Sequence, residues 1–103
     1  MDYIYKDELN NKYVGTIESM DIIPYYEFTI KINEKDETCH MEYLSYEWVI
    51  HFIDLDKHVE LAHPTDVFWN AEALYSIFDD EHLCWRIAFA IKTIYEYYTK
   101  KIS

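Results

Sequence analysis

The side chains best suited to chemistry in this chain are its two cysteines and five histidines. They are Cys39, His40, His51, His58, His63, His82 and Cys84. Structural zinc sites usually pair their ligands at CxxC or HxxxH spacing, and a zinc hydrolase carries HExxH on a helix. None of these spacings occurs among the 103 residues. We therefore predict no metal site and no cofactor, and we interpret the histidines as polar residues on strands and turns.

Nucleophilic catalysis also lacks its usual residue arrangement. The chain has one glycine, so no serine lies in a glycine-flanked turn and no glycine-rich loop can hold a phosphate. A cysteine nucleophile needs a nearby histidine to lower the pKa of its thiol. His82 and Cys84 lie two residues apart in a predicted helix, which directs their side chains about 160° apart. We predict that the chain is not an enzyme and that both thiols are reduced and buried.

The charge of the chain argues against further classes of ligand. Acidic residues outnumber basic residues by 20 to 9, which gives a formal net charge of −11. Nucleic acids and anionic membranes repel such a surface, so we expect neither as a direct ligand. The N-terminal residues lack the features of a signal peptide, and no apolar stretch approaches the ~20 residues of a membrane span. We expect a cytoplasmic protein of a bacterium or of an infected bacterial host.

The first two thirds of the chain have the pattern of a β-sheet. In residues 25–33, apolar side chains at every second position alternate with polar ones, as in a strand with one buried face. β-branched and aromatic residues in the neighbouring segments favour further strands. We predict an antiparallel sheet of about four strands within residues 13–63. The predicted strands cover residues 13–23, 25–33, 38–53 and 58–63.

The third predicted strand contains a change of phase. Cys39 and Met41 place the apolar set at odd positions, whereas Trp48 and Ile50 place it at even positions. A shift of one residue sends every later side chain to the other face of a sheet. We therefore predict a bulge or a break within residues 43–45.

The segment after the strands predicts a first helix at about residues 66–78. Thr65 and Asp66 are candidate N-cap residues, because their side-chain oxygens can accept a hydrogen bond from the first free N–H groups. Apolar residues that include Trp69 and Ala73 then recur at three- and four-residue spacing. This spacing is typical of a helix with one buried face.

A second, longer helix is predicted at about residues 80–101. Acidic residues stand at its start and lysines at its end, the arrangement that the helix dipole favours. We predict an α+β fold for residues 1–103 as a single domain, in which a small antiparallel sheet is followed by C-terminal helices packed on one face. The predicted core consists of Tyr26, Phe28, Ile30, Trp48, Ile50, Leu83, Ile87, Ile91 and Ile94.

Two aromatic residues of the second helix lie away from its apolar stripe. At ~100° per residue, Trp85 and Phe89 fall nearly opposite the face that carries Ile87 and Ile91. Large exposed rings favour a cover. Three covers are open from the sequence: the N-terminal segment Tyr3-Ile4-Tyr5, a second copy of the chain in a homodimer, or a different partner protein.

Acidic residues and surplus aromatic residues together favour a protein interface. Tyrosine and tryptophan anchor protein interfaces, and carboxylates steer a basic partner towards them. Glutamates are predicted on the outer face of the sheet, and aspartates at a hairpin end and at the helix junction. The candidate partner-binding residues are Glu27, Glu47, Glu60, Asp54, Asp56, Asp79, Asp80, Glu81, Trp85 and Phe89.

The leading functional hypothesis is a small acidic inhibitor that binds a basic protein, such as a nuclease or another protein that handles nucleic acid. In size, charge and aromatic content, the chain resembles toxin-immunity proteins and phage anti-defence proteins such as anti-CRISPRs. The resemblance includes no motif and assigns no residue. The inhibitor would occlude the cationic surface with which its partner binds nucleic acid.

Two alternatives belong to other functional classes. The chain could be a homo-oligomeric module that sequesters a small ligand, such as a signalling nucleotide. A closed aromatic pocket ringed by Lys12, Lys31 or Arg86 would favour that hypothesis, because phosphates need basic partners. The second alternative is a structural subunit whose exposed rings serve self-assembly.

Overall fold

The fold is described from a computed structural model of the chain. The structure describes the backbone of residues 2–6, 12–19 and 25–102 and the side chains of residues 26–97. Strands come first along the chain and helices follow. The elements are β1 (Asp2–Lys6), β2 (Lys12–Ser19), β3 (Tyr25–Ile32), β4 (Lys35–Leu44), β5 (Glu47–Phe52), β6 (Lys57–Leu61), α1 (Val67–Leu74) and α2 (Glu81–Ile102).

The chain divides into two compact units, residues 1–60 and 61–103, which we call the sheet unit and the helical unit. The strands form one sheet in the order β1 to β6, and the pairings from β1 to β5 are antiparallel. Phe28 pairs with Cys39, which pairs with Phe52, and all three are buried. The alternation in the sequence thus places the apolar residues of adjacent strands on one face.

The phase change is explained by a tight hairpin between β4 and β5. Ser45 and Tyr46 form a two-residue turn with φ of 51° and 68°, so the residues before and after it lie on separate antiparallel strands. Asn33 and Glu34 form the same kind of turn, with the same φ values. Such turns usually contain Asn-Gly. Because the chain has one glycine, residues with a Cβ occupy these left-handed positions, at a conformational cost.

Side-chain caps define the start of both helices. Asp66 Oδ1 accepts a hydrogen bond from the backbone N–H of Trp69 at 3.3 Å, which caps α1 as predicted. Asp80 Oδ1 accepts one from the backbone N–H of Leu83 at 3.1 Å at the start of α2. Each cap satisfies an N–H group that has no partner within its helix.

The buried face of α1 differs from the one that the sequence suggests. Asn70, Ala71 and Leu74 are buried, whereas Trp69 is exposed. Asn70 is held inside by two hydrogen bonds: its Nδ2 donates to the carbonyl of His63 at 2.7 Å, and its Oδ1 accepts from the N–H of Ala62 at 3.0 Å. A polar residue with satisfied partners therefore lies inside, and Trp69 turns outward.

The α+β class is confirmed, with an antiparallel sheet followed by C-terminal helices. All nine predicted core residues are buried. Each of the four predicted segments contains a strand, and residues 20–23 of the first segment lie outside the described residues. The described part of the sheet has six strands and not four, because the third segment is a hairpin and Tyr3-Ile4-Tyr5, outside the predicted range, lies in β1, paired with β2. The single-domain arrangement stays a prediction. Within the described residues, no helix is long and apolar enough to cross a membrane.

Candidate functional site

Four aromatic side chains form a continuous row on the helical unit, which we call the aromatic row. Its ring centroids lie 5.7 Å apart between Trp69 and Phe68, 6.1 Å between Phe68 and Trp85, and 6.2 Å between Trp85 and Phe89. Trp69, Phe68 and Phe89 are 58%, 54% and 52% exposed, and Trp85 is partly buried. The rings therefore pair with one another, within the roughly 4.5–7 Å of favourable aromatic contacts, while keeping a large accessible surface.

The aromatic row borders an open groove between α1 and α2, which has a volume of about 450 Å³. We call it the α1–α2 groove. The residues that line the groove recur at three- and four-residue spacing on both helices, so one face of each helix borders the groove. The floor is buried at Ala71 and Cys84, whereas Tyr75 on its wall is about half exposed (52%). The lining residues are Phe68, Ala71, Glu72, Tyr75, Glu81, Cys84 and Trp85.

The α1–α2 groove is an acidic environment. Glu72 and Glu81 line it and are exposed, and Asp79 and Asp80 are exposed immediately before α2. Burial raises the pKa of the Cys84 thiol, and the negative charges of Asp80 and Glu81 raise it further. The carboxylates near Cys84 therefore disfavour any further negative charge on the floor of the groove. Among the described lining residues there is no lysine, arginine or histidine to offset this charge.

A second depression continues along α2 from the end of the aromatic row. It has a volume of about 330 Å³ and is lined by Phe89, Lys92, Thr93, Glu96 and Tyr97. Lys92 Nζ lies 3.7 Å from Glu96 Oε1, one helical turn away. The accessible surface of α2 thus extends over several turns, and at this end a basic side chain faces an acidic one.

The ten candidate partner-binding residues fall into two groups. Five belong to the helical unit, where Glu81 and Trp85 line the groove, Phe89 ends the aromatic row, and Asp79 and Asp80 precede α2. The other five belong to the sheet unit and are distributed over several of its elements. They are Glu27 on β3, Glu47 on β5, Glu60 on β6, and Asp54 and Asp56 in the turn before β6.

Histidines and carboxylates meet on the polar face of the sheet. His40 and His51 pair directly across β4 and β5, and the rings of His51 and His58 lie 6.4 Å apart. Glu27 Oε1 lies 3.3 Å from His40 Nε2, and Asp56 Oδ1 lies 3.7 Å from His51 Nε2. We call the three histidines the histidine row. No group of three or more metal-ligating side chains suited to hold an ion was found in the described part of the chain.

Three exposed groove residues were missed by sequence reasoning: Phe68, Glu72 and Tyr75. Their spacing of four and three residues places them on one helical face, and this pattern is present in the sequence. It was hidden because Trp69 and Ala73 offer an equally regular apolar stripe. The stripe that lies inside includes Asn70, which is held there by two hydrogen bonds.

The fold and site define an α+β protein with an acidic, aromatic groove on its helical unit. The chain belongs to a family described as a family of unknown function, DUF6618, whose model matches residues 1–99. No curated protein and no solved structure matches the chain.

Proposed function

We propose that this chain is a small acidic protein inhibitor that binds a nucleic-acid-processing protein and occludes its basic surface. The observation that carries the proposal is the aromatic row beside the acidic α1–α2 groove. Exposed Trp and Phe side chains are suited to anchor an interface, and carboxylates around them attract a basic partner. Basic, shaped surfaces are typical of proteins that bind nucleic acid. The proposed location is the cytoplasm of a bacterium or of an infected bacterial host.

The charge of the groove makes a nucleotide a poorer occupant than a basic protein. Glu72 and Glu81 repel phosphates, which proteins usually hold with basic side chains or with several backbone N–H groups. A basic protein surface instead gains from both parts of the site, since its apolar parts cover the rings and its charges lie near the carboxylates. The immunity-protein and anti-defence forms of this function share the same chemistry.

The proposal is tested by capture with matched variants. Tagged wild-type chain is compared with Trp85→Ser/Phe89→Ser and with the control Tyr43→Ser/Tyr46→Ser, which removes two exposed rings from the sheet unit. We expect the wild type and the control to capture the same basic, nucleic-acid-processing protein, and the helical variant to lose it. Circular dichroism and size-exclusion chromatography check the fold and oligomeric state of each variant.

Inhibition must then be measured on the captured protein. We expect its binding to a labelled nucleic acid to fall as purified chain is added, with complete loss near equimolar concentrations. A captured protein that binds nucleic acid equally well when saturated with the chain would overturn the proposal. So would loss of a homodimer as the sole effect of Trp85→Ser/Phe89→Ser, because the rings would then serve self-assembly.

A further inference from the structure

The lining of the α1–α2 groove specifies the chemistry of its occupant more narrowly than net charge does. Its walls are the aromatic side chains of Phe68, Tyr75 and Trp85, and its two charged lining residues are Glu72 and Glu81. The floor is closed by buried Ala71 and Cys84. A ligand that fills this groove therefore contacts ring surfaces and carboxylates together.

Different side chains can be compared as occupants of such a groove. An acidic side chain or a phosphate is repelled by the two carboxylates. An apolar side chain covers the rings but takes water away from Glu72 and Glu81 without replacing its hydrogen bonds, which is costly. A cation satisfies both groups, because ring faces and carboxylates both attract positive charge.

Among natural cations, arginine fits this lining best. Its guanidinium group is planar, so it can stack on an aromatic ring while its N–H groups donate to carboxylates in the same plane. A lysine ammonium is compact and strongly hydrated, and it cannot stack. A cation–π pair is weak when it is exposed to water and stronger when a docked partner excludes water. A groove covered by a docked protein belongs to the second case.

We propose that the α1–α2 groove binds an arginine side chain of the basic partner, with its guanidinium stacked against Phe68 or Trp85 and paired with Glu72 and Glu81. This inference rests on the proposed function, since it supplies the basic partner. Trp69 and Phe89, at the two ends of the aromatic row, then contact the partner surface around that arginine.

The probe for this inference is a short acetylated and amidated peptide that carries one arginine among glycines and serines. Binding to the full chain is followed by the shifts of backbone amide and indole N–H resonances in NMR titrations. Three further peptides replace the arginine with lysine, norleucine or citrulline, which is nearly the same shape as arginine but uncharged. We expect the arginine peptide to shift resonances of α1 and α2, lysine to bind more weakly, and norleucine and citrulline to cause no saturable shift.

Matched variants locate the charge requirement. Glu72→Gln/Glu81→Gln should weaken the arginine peptide by about tenfold, the factor that ~1.4 kcal/mol represents. Glu47→Gln/Glu60→Gln removes the same charge from exposed positions of the sheet unit and should leave its affinity within twofold. Because both variants change exposed side chains, we expect both to fold, and circular dichroism checks this.

The outcomes separate this inference from the proposed function. Equal binding of citrulline and arginine, equal losses in the two variants, or no binding of the arginine peptide each overturns the arginine site. The proposed inhibitor stands in all three cases if Trp85→Ser/Phe89→Ser still abolishes capture of the basic partner. If arginine binds as expected while the partner is captured equally by that variant, the groove is a cation site, and the aromatic row is not the interface on which the proposed function rests.

Discussion

The two units of the chain carry their acidic residues in different surroundings. On the sheet unit, Glu27 and Asp56 each lie within 4 Å of a histidine. On the helical unit, Glu72 and Glu81 line a groove beside half-exposed rings. A carboxylate on the sheet unit stays hydrated. A carboxylate in the groove is stabilised when a partner brings a cation to it and at the same time covers the rings with an apolar surface. Under the proposed function, the neighbours of the carboxylates, and not their number, indicate where the partner would bind.

The largest expected effect is on the free energy of unfolding, and it tests whether Phe89 of the aromatic row lies outside the core. Ile91 is fully buried on α2, two residues from the half-exposed Phe89. Ile91→Ala should lower the free energy of unfolding by about 2–5 kcal/mol through lost burial and a cavity. Phe89→Ser should change it by less than ~1 kcal/mol, since the ring is half exposed. Denaturant titrations measure both, and equal losses would mean that Phe89 belongs to the core.

The second expected effect concerns the residue that sets the outward face of α1. Asn70→Leu removes two hydrogen bonds and leaves the His63 carbonyl and the Ala62 N–H without their side-chain partner. We expect a total loss of about 1–3 kcal/mol in the free energy of unfolding, because both hydrogen bonds are only partly buried. Glu72→Gln on the same helix is the control and should be nearly neutral. Unchanged stability in Asn70→Leu would show that these hydrogen bonds do not select the buried face.

The third prediction compares the carboxylates of the α1–α2 groove with exposed carboxylates of the sheet unit. It depends on the proposed basic partner. Reversal of Glu72 and Glu81 to Lys should lower the association rate more than reversal of Glu47 and Glu60, with stability changes mostly within ~0.5 kcal/mol. Both effects should shrink as salt shortens the Debye length from ~10 to ~3 Å. Stopped-flow or surface-based kinetics measure the rates. Equal reductions would mean that steering follows net charge alone.

The smallest expected effect lies at the β4–β5 hairpin of the sheet unit. Tyr46 is 92% exposed and has a φ of 68°, so its ring contributes little burial while its backbone is strained. Tyr46→Gly should raise the free energy of unfolding by about 1 kcal/mol, because glycine adopts this conformation without the Cβ clash. Tyr46→Ala keeps the Cβ and should give no such gain. If both variants stabilise equally, the strain explanation is wrong.

Local patterns in the sequence predicted much of the fold, and long-range choices limited the rest. The alternation around Phe28 and the cap at Asp66 depend on neighbouring residues, so they could be found without a structure. The acidic start of α2 was predicted from the helix dipole, and the structure adds that Asp80 caps it. The hairpin at Ser45 and Tyr46 was expected only as a bulge or break, because neither residue favours a left-handed turn.

The candidate site was predicted in part for a related reason. Trp85 and Phe89 were found from their angles on one helix, and the acidic residues before α2 from local charge. Phe68 and Glu72 depend on which stripe of α1 lies inside, and the hydrogen-bond partners of Asn70 on that stripe lie seven and eight residues away. The histidine row depends on strand register, and no local pattern records which residues face each other across β4 and β5.

The aromatic row has a consequence for the colloidal behaviour of the protein. At neutral pH, the formal charge of −11 makes separate molecules repel one another and keeps their exposed rings apart. Acidification towards the isoelectric point of about 4.6 removes that repulsion, because the net charge falls to zero there while the rings stay accessible. Light scattering should therefore rise steeply on acidification, and it should rise less for Trp85→Ser/Phe89→Ser. The same rings that suit a binding surface thus limit the pH range over which the free protein stays dispersed.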